Sequence, residues 1–205
     1  MTLRIRNLSK SYQGIPVFSH VNLTLEQGGT YCLMAPSGAG KTTLLRILMG
    51  LELPDTGSIE GLQGLRTAAV FQEDRLCPAL TAAENIRLVD PCCSGSALSR
   101  ELLALLPADS LSRPVSAYSG GMCRRVSLLR AMLSKGRLLL FDEPFNGLDA
   151  QSRQDAIRYI REKKGDRTLL FTTHHMEEAL ALSAICFLWD ADGLTWYPSA
   201  FSSSS

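Results

Sequence analysis

The sequence predicts an α/β protein with a mostly parallel central sheet, an antiparallel β section at its N-terminus and a helical section inserted in its middle. Three observations lead there. Short, nearly continuous apolar runs, TYCLMA (30–35), RLLLF (137–141) and TLLFTT (168–173), read as strands buried on both faces, the usual state of a parallel sheet. Helical patterns stand between these runs, and strands alternating with helices give crossover connections. Two segments near the start, LRIRNL (3–8) and VFSHVNLTL (17–25), instead alternate apolar and polar residues, which fits strands joined by a turn at QGIP.

The remaining elements follow in chain order. KTTLLRILMG (41–50) reads as a helix closed by Gly50. GSIEG and TAAVF read as short strands. From Leu80 to Leu133 the pattern is helical, interrupted at DPCCSGS (90–96) and PADS (107–110), with no strand of its own. This block defines a helical subdomain at about 75–133, inserted in a single domain covering 1–205. DAQSRQDAIRYIREKK (149–164) is an amphipathic helix with Asp149 suited to its N-terminus. MEEALALS continues as a helix, and AICFLWDADGLTWY (184–197) as a hairpin turning at Asp192-Gly193. The tail SAFSSSS reads as frayed.

Bulk properties exclude several classes. With 205 residues, 45% hydrophobic and 20% charged, the chain fits one globular domain. A net charge of +1 gives no bulk attraction to nucleic acid or to an acidic membrane. Apolar runs such as LLALL (102–106) fall far short of the roughly 18 to 20 residues needed to span a bilayer, and MTLRIRNLSK lacks a signal peptide's apolar core. The expected location is therefore cytoplasmic, unless a partner holds the chain at a membrane. The six cysteines form no C-x-x-C pair and read mostly as small packing residues. Adjacent His174 and His175 point apart, with no third ligand nearby, which argues against zinc.

APSGAGKTTL (35–44), with a strand before it and a helix after it, carries the first chemistry. It follows the pattern G-x-x-x-x-G-K-[ST] of a phosphate-binding loop, so the fold is read as a P-loop NTPase. Backbone N–H groups across Ser37, Gly38, Ala39, Gly40, Lys41, Thr42 and Thr43 would surround the phosphates of ATP. Lys41 supplies charge to the outer phosphates and the Thr42 hydroxyl ligates Mg2+. Ala35 stands in the first glycine's place; its methyl group crowds the turn but removes neither a donor nor a charge. RLLLFDEP (137–144) ends a buried strand in two carboxylates. Asp142 can hold the metal's water shell and Glu143 can orient or deprotonate a water beside the last phosphate.

YSGGMCRRVSLLRAML (118–133) then makes the chain resemble the ATPases of ATP-binding-cassette (ABC) transporters, whose signature reads L-S-G-G-Q. Ser119, Gly120 and Gly121 match it, while Tyr118 and Met122 depart from it. The other motifs follow in order. Gln72 in AVFQEDRL resembles the glutamine that senses the metal and the third phosphate. FNGLD (145–149) resembles the loop after the acidic pair, His174 in FTTHHMEEA the switch histidine, and Tyr12 in KSYQG the aromatic ring stacked on adenine. The resemblance covers about residues 3 to 197 and implies ATP and Mg2+ as ligands. It implies a head-to-tail dimer, in which the phosphate loop of one copy and the signature of the second close on the same ATP. It also implies a separate membrane permease and a solute-binding protein. VFQEDRLCPALTAAENI (70–86) and DEPFNGLDA (142–150) are similar to the nitrate, sulfonate and taurine importer ATPases, where a permease helix docks after the glutamine loop; Arg75, Leu76, Pro78 and Leu80 would line that dock. The competing readings are the ATPase of an exporter or lipoprotein-release complex and a non-transport cytosolic ABC-type ATPase. A P-loop kinase would have no use for SGG before a helix.

Overall fold

A computed structural model describes residues 2–36, 38–190 and 193–197. β1 (Leu3–Tyr12) and β2 (Ile15–Leu25) form a long antiparallel pair, and β4 (Thr56–Glu60) joins the other side of β1. Gln13 and Gly14 make the two-residue turn, both at positive φ (52° and 79°), the geometry that matches the twist of paired strands. β1 therefore runs four residues beyond the alternating stretch that predicts it. The alternation stops early because the β1–β2 register shifts between Ile5 and Leu8, again before Lys10 and again before Ser11. Each irregularity rotates the side chains that follow.

The second sheet has the order β5-β6-β7-β3-β8-β9, with β5 (Thr67–Val70), β6 (Leu138–Phe141), β7 (Thr168–Thr172), β3 (Thr30–Met34) and β8 (Ile185–Asp190) all parallel. β9 (Gly193–Tyr197) pairs antiparallel with β8 at its edge. The expected hairpin is thus present; its turn at Asp192 and the tail lie outside the described residues. Alternate side chains of the parallel strands feed two cores. Leu33, Leu138, Leu140 and Leu170 pack with α1 (Lys41–Leu48) and the antiparallel sheet. Leu139, Phe141, Leu169 and Phe171 pack with the helices on the opposite face. α1 ends in a Schellman arrangement: Gly50 at φ 71° lets its own N–H reach Ile47 and that of Leu51 reach Arg46.

Between Leu80 and Leu133 the chain forms α2 (Ala82–Arg87), α3 (Gly95–Leu103) and α4 (Gly120–Leu133), with 3-10 turns at Ala108–Ser110 and Val115–Ala117. α2 starts with a capping box, Thr81 with Glu84. α5 (Ala150–Lys163) starts at Asp149, whose carboxylate accepts from the Ser152 N–H at 2.9 Å, and α6 (Met176–Ala181) follows β7. The cysteines divide. Cys32 and Cys186 are buried register partners on β3 and β8, as packing residues should be. Cys77 and Cys92 are exposed on loops, which corrects the packing expectation for those two: their neighbours Leu76 and Cys93 are the residues that pack against the core. No group of histidine, cysteine and carboxylate side chains able to hold a metal ion exists among the described residues.

Candidate active site

The C-terminal ends of β3, β7 and β6 lie side by side, where open parallel sheets place their ligands. The loop after β3 turns into α1 through Gly38 (φ 83°) and Gly40 (φ 91°). Only glycine suits Gly40: its backbone is left-handed, and a Cβ would sit 2.7 Å from Val17 Cγ1. The Ala39 N–H bonds the Pro36 carbonyl at 3.3 Å, tightening the loop. Ala35 lies outside the left-handed region and packs against the core, so its methyl group forces no unusual backbone. Ser37 lies outside the described residues.

Lys41 is buried, and its ammonium donates to the carbonyls of Ala35 (2.7 Å) and Pro36 (3.0 Å). No carboxylate is within ion-pair distance of it among the described residues. Burial pulls its pKa below the usual lysine value, with Glu143 and Asp142 opposing that shift from farther off. Among the described residues this buried cation donates to carbonyls alone, beside a helix N-terminus whose glycine cap carries no side chain, an arrangement with the chemistry to take an anion. Thr42, exposed, and Thr43, half-buried, occupy the same first turn.

Asp142 directly follows β6 and is buried. Its two oxygens accept from two hydroxyls, Thr42 Oγ1 at 2.6 Å and Thr172 Oγ1 at 2.7 Å. A threonine hydroxyl and a carboxylate held this close are the oxygen donors that a hard divalent cation takes, so the residues fit Mg2+. Glu143 follows at φ 46°, a strained setting for a residue with a side chain. Its N–H donates to Thr172 Oγ1 (2.9 Å), and its Oε1 meets His174 Nε2 at 2.8 Å. Thr42, Asp142 and Gln72 line one cleft, with Phe71 and Arg75. Glu143, His174, Asn146 and Gly147 line a second.

Gln72 is exposed and follows β5. Its loop is tied to α4: Arg124 donates to the carbonyls of Phe71 (2.6 Å) and Gln72 (2.5 Å) and pairs with Asp74 at 3.3 Å. Ser127 and Arg130 both donate to the Asp74 carbonyl, and Arg130 also to that of Arg75. Burial raises the Asp74 pKa, and the Arg124 charge opposes it. Of the residues expected to line a permease dock, Arg75 and Pro78 are exposed, while Leu76 packs partly against the core. Tyr12 is 47% exposed, so its ring is open to a ligand; its hydroxyl bonds Glu52.

Ser119 and Gly120 are exposed at the start of α4. Ser119 caps the helix, accepting from the Met122 N–H at 3.3 Å. Gly121 packs so near Gly147 that a Cβ there would lie 3.3 Å from its carbonyl. The signature residues line neither of the two clefts that hold the carboxylates. The structure therefore brings Lys41, Thr42, Asp142, Glu143 and His174 together and leaves Ser119 and Gly120 apart from them. Sequence reasoning missed Thr172 and the Arg124–Ser127–Arg130 clamp. The only signals were a second threonine closing an apolar strand and an Arg-Arg pair just after SGG.

Known proteins resemble this chain in sequence and in fold. The family model described as ABC transporter matches residues 18–146. An aliphatic sulfonates import ATP-binding protein, SsuB 2 of Pseudomonas syringae pv. tomato, is 40% identical over 87% of this chain and 78% of its own length. The Fe(3+) ions import ATP-binding protein FbpC of Escherichia coli is 37% identical over 88% of this chain, and the sulfate/thiosulfate import ATP-binding protein CysA of Mesorhizobium japonicum 36% identical over 89%. This chain spans only 57% and 59% of those two proteins' lengths. Among solved structures, a dimeric post-hydrolysis state of the ATP-binding cassette MJ0796 bound to ADP and Pi superposes with a TM-score of 0.79 at 25% identity, covering 91% of this chain and 93% of that one. With the phosphate loop, the acidic strand tip and the signature helix all in place, the chain belongs to the ABC transporter family, as one of its ATPase cassettes.

Proposed function

We propose that this chain hydrolyses ATP to drive a membrane importer of a small solute of the nitrate, sulfonate or taurine class. It works as a pair of copies held at the cytoplasmic face by a permease, with a solute-binding protein in the same system. The observation that carries the hydrolytic reading is the cluster at the strand tips: a buried lysine faced only by carbonyls, beside Asp142, Glu143 and His174. The import reading draws on the likeness to the sulfonate import protein. No helix among the described residues is long and apolar enough to cross a membrane, and the spanning part of the proposed transporter is assigned to the permease.

Lys41 and the N–H groups of the first turn of α1 take up phosphate charge, and Tyr12 offers its face to the base. Thr42 and Asp142, with Gln72 beside them, would hold Mg2+, which would supply positive charge against the phosphates. Glu143 is aimed by its backbone and by His174 to polarise a water for in-line attack. Ser119, Gly120 and Gly121 present a second helix N-terminus that this copy leaves open, so a partner copy's triphosphate can occupy it. ATP shared by two helix termini favours the closed pair, and loss of the γ-phosphate lets the halves part, which moves the permease. The test is Glu143→Gln with saturating MgATP. Turnover is expected to fall by about 100-fold or more, with ATP still bound and a dimer appearing in light scattering. Undiminished phosphate release, or only single copies, would defeat the reading.

A further inference from the structure

Thr172 is a buried polar group of the site to which the proposed mechanism gives no role. Thr172 closes β7 and is fully buried, yet its hydroxyl touches both halves of the acidic pair on the neighbouring strand. It donates to Asp142 Oδ1 at 2.7 Å and accepts the Glu143 N–H at 2.9 Å. A hydroxyl has one proton and two lone pairs, so the two bonds use it in complementary senses. We infer that Thr172 is a positioning residue for hydrolysis: a single hydroxyl sets the plane of the metal-holding carboxylate and the backbone turn that aims the water-activating one. The inference rests on the hydrolytic reading proposed above.

Geometry supports both duties. With Oδ1 taken by Thr172, Asp142 turns Oδ2 to Thr42, where the bond is 2.6 Å. The carboxylate thus cannot rotate without breaking a buried hydrogen bond, and its cation-facing oxygen stays on the side of the phosphate loop. On the other side, Glu143 sits at φ 46°, a conformation that needs support from its surroundings. The bond from its N–H to Thr172 pins the peptide linking it to Asp142, and its carboxylate then reaches His174. Valine at this position keeps the shape but offers neither donor nor acceptor.

Three proteins test this: Thr172→Val, Thr172→Ser and Glu143→Gln. In the nucleotide-free protein, amide exchange at Glu143, followed by NMR, is expected to speed up on the order of tenfold in Thr172→Val and to stay as it is in Thr172→Ser. Titrating Mg2+ against a fluorescent ATP analogue should show the Mg2+ requirement rising about tenfold in the valine variant, the usual cost of losing a partner behind a metal ligand. Analogue binding without Mg2+ should stay the same. In steady state, kcat should fall about tenfold while KM for ATP changes less than about twofold, and serine should restore it. Glu143 exchange and Mg2+ requirement both unmoved by valine, or losses that serine fails to repair, would overturn the assignment. If Glu143→Gln still turns over, the hydrolytic reading itself fails and takes this inference with it. If Glu143→Gln is dead while Thr172→Val is normal, only the role of Thr172 is lost.

Discussion

The tips of β3, β6 and β7 and the start of α4 are both phosphate-binding arrangements by residue type, yet the chain treats them in opposite ways. At the strand tips the polar groups are already engaged: buried Lys41 with two carbonyls, buried Asp142 with two hydroxyls, and half-buried Glu143 with exposed His174. At the signature, Ser119 and Gly120 are exposed, and the turn keeps one internal side-chain bond, from the Met122 N–H to Ser119. The first half is shaped before any nucleotide arrives; the second presents donors outward. A few residues further on, the same helix becomes firmly anchored, through Arg124, Ser127 and Arg130, to the backbone of the Gln72 loop. The outward-facing turn and the Gln72 loop are thus tied to one helix. Openness at the signature is a local property of its first turn, set by serine and two glycines, and not a looseness of the helix.

The sharpest way to break this contrast is at Lys41. A buried ammonium without a carboxylate partner costs the fold, as the downward pull on its pKa shows, and repays that cost only with an anion present. Lys41→Met is expected to lower ATP affinity on the order of 100-fold or more, while the nucleotide-free protein melts no earlier than wild type. Calorimetry of binding together with a melting curve checks both. A lower melting temperature would show that the lysine holds the loop together and is not held in waiting. Arg124 should behave in the reverse sense. Arg124→Met leaves the carbonyls of Phe71 and Gln72 and the Asp74 carboxylate without their cation, and should cost about 2 kcal/mol of stability. Urea denaturation would read that loss. ATP affinity should stay within about threefold, a shift of less than ~1 kcal/mol. Equal losses of stability and affinity would erase the distinction between anchor and site.

How much of this was readable in advance depends on the range of the contact. The phosphate loop, the acidic pair and the signature are local strings, because a turn, a strand tip or a helix start needs particular residues at adjacent positions. β3, β6 and β7 were legible for the same reason: burial on both faces leaves an unbroken apolar run. What the sequence hid is long-range. Thr172 acts on residues 29 and 30 positions away, and Arg124 on carbonyls 52 and 53 positions away. Neither residue type announces its partner, and backbone carbonyls carry no sequence mark at all. β4 was seen as a strand, but its place beside β1 follows from register across half a hundred residues of intervening chain. Tyr12 was picked out by motif, whereas its bond to Glu52 depends on how the segment after α1 folds back to β1.

The smallest expected effect is also the one that separates a cap from a binding group. The Ser119 hydroxyl accepts the Met122 N–H at 3.3 Å on an exposed turn. Replacing a serine cap by alanine costs about 1 kcal/mol, and a cap this long and this exposed should fall at or below that figure. A Ser119→Ala melt should therefore lie within a few degrees of wild type, and ATP binding to the single copy should be unchanged, because the signature lines neither carboxylate cleft. Dimer formation in the Glu143→Gln background should nonetheless weaken, since in the proposed pair the hydroxyl meets the partner copy's phosphate. Scattering at a series of MgATP concentrations reads that term apart from the other two. If Ser119→Ala alters single-copy ATP affinity as much as dimer formation, the two halves belong to one pocket within a single chain. The contrast between an inward, finished half and an outward, open one would then be wrong.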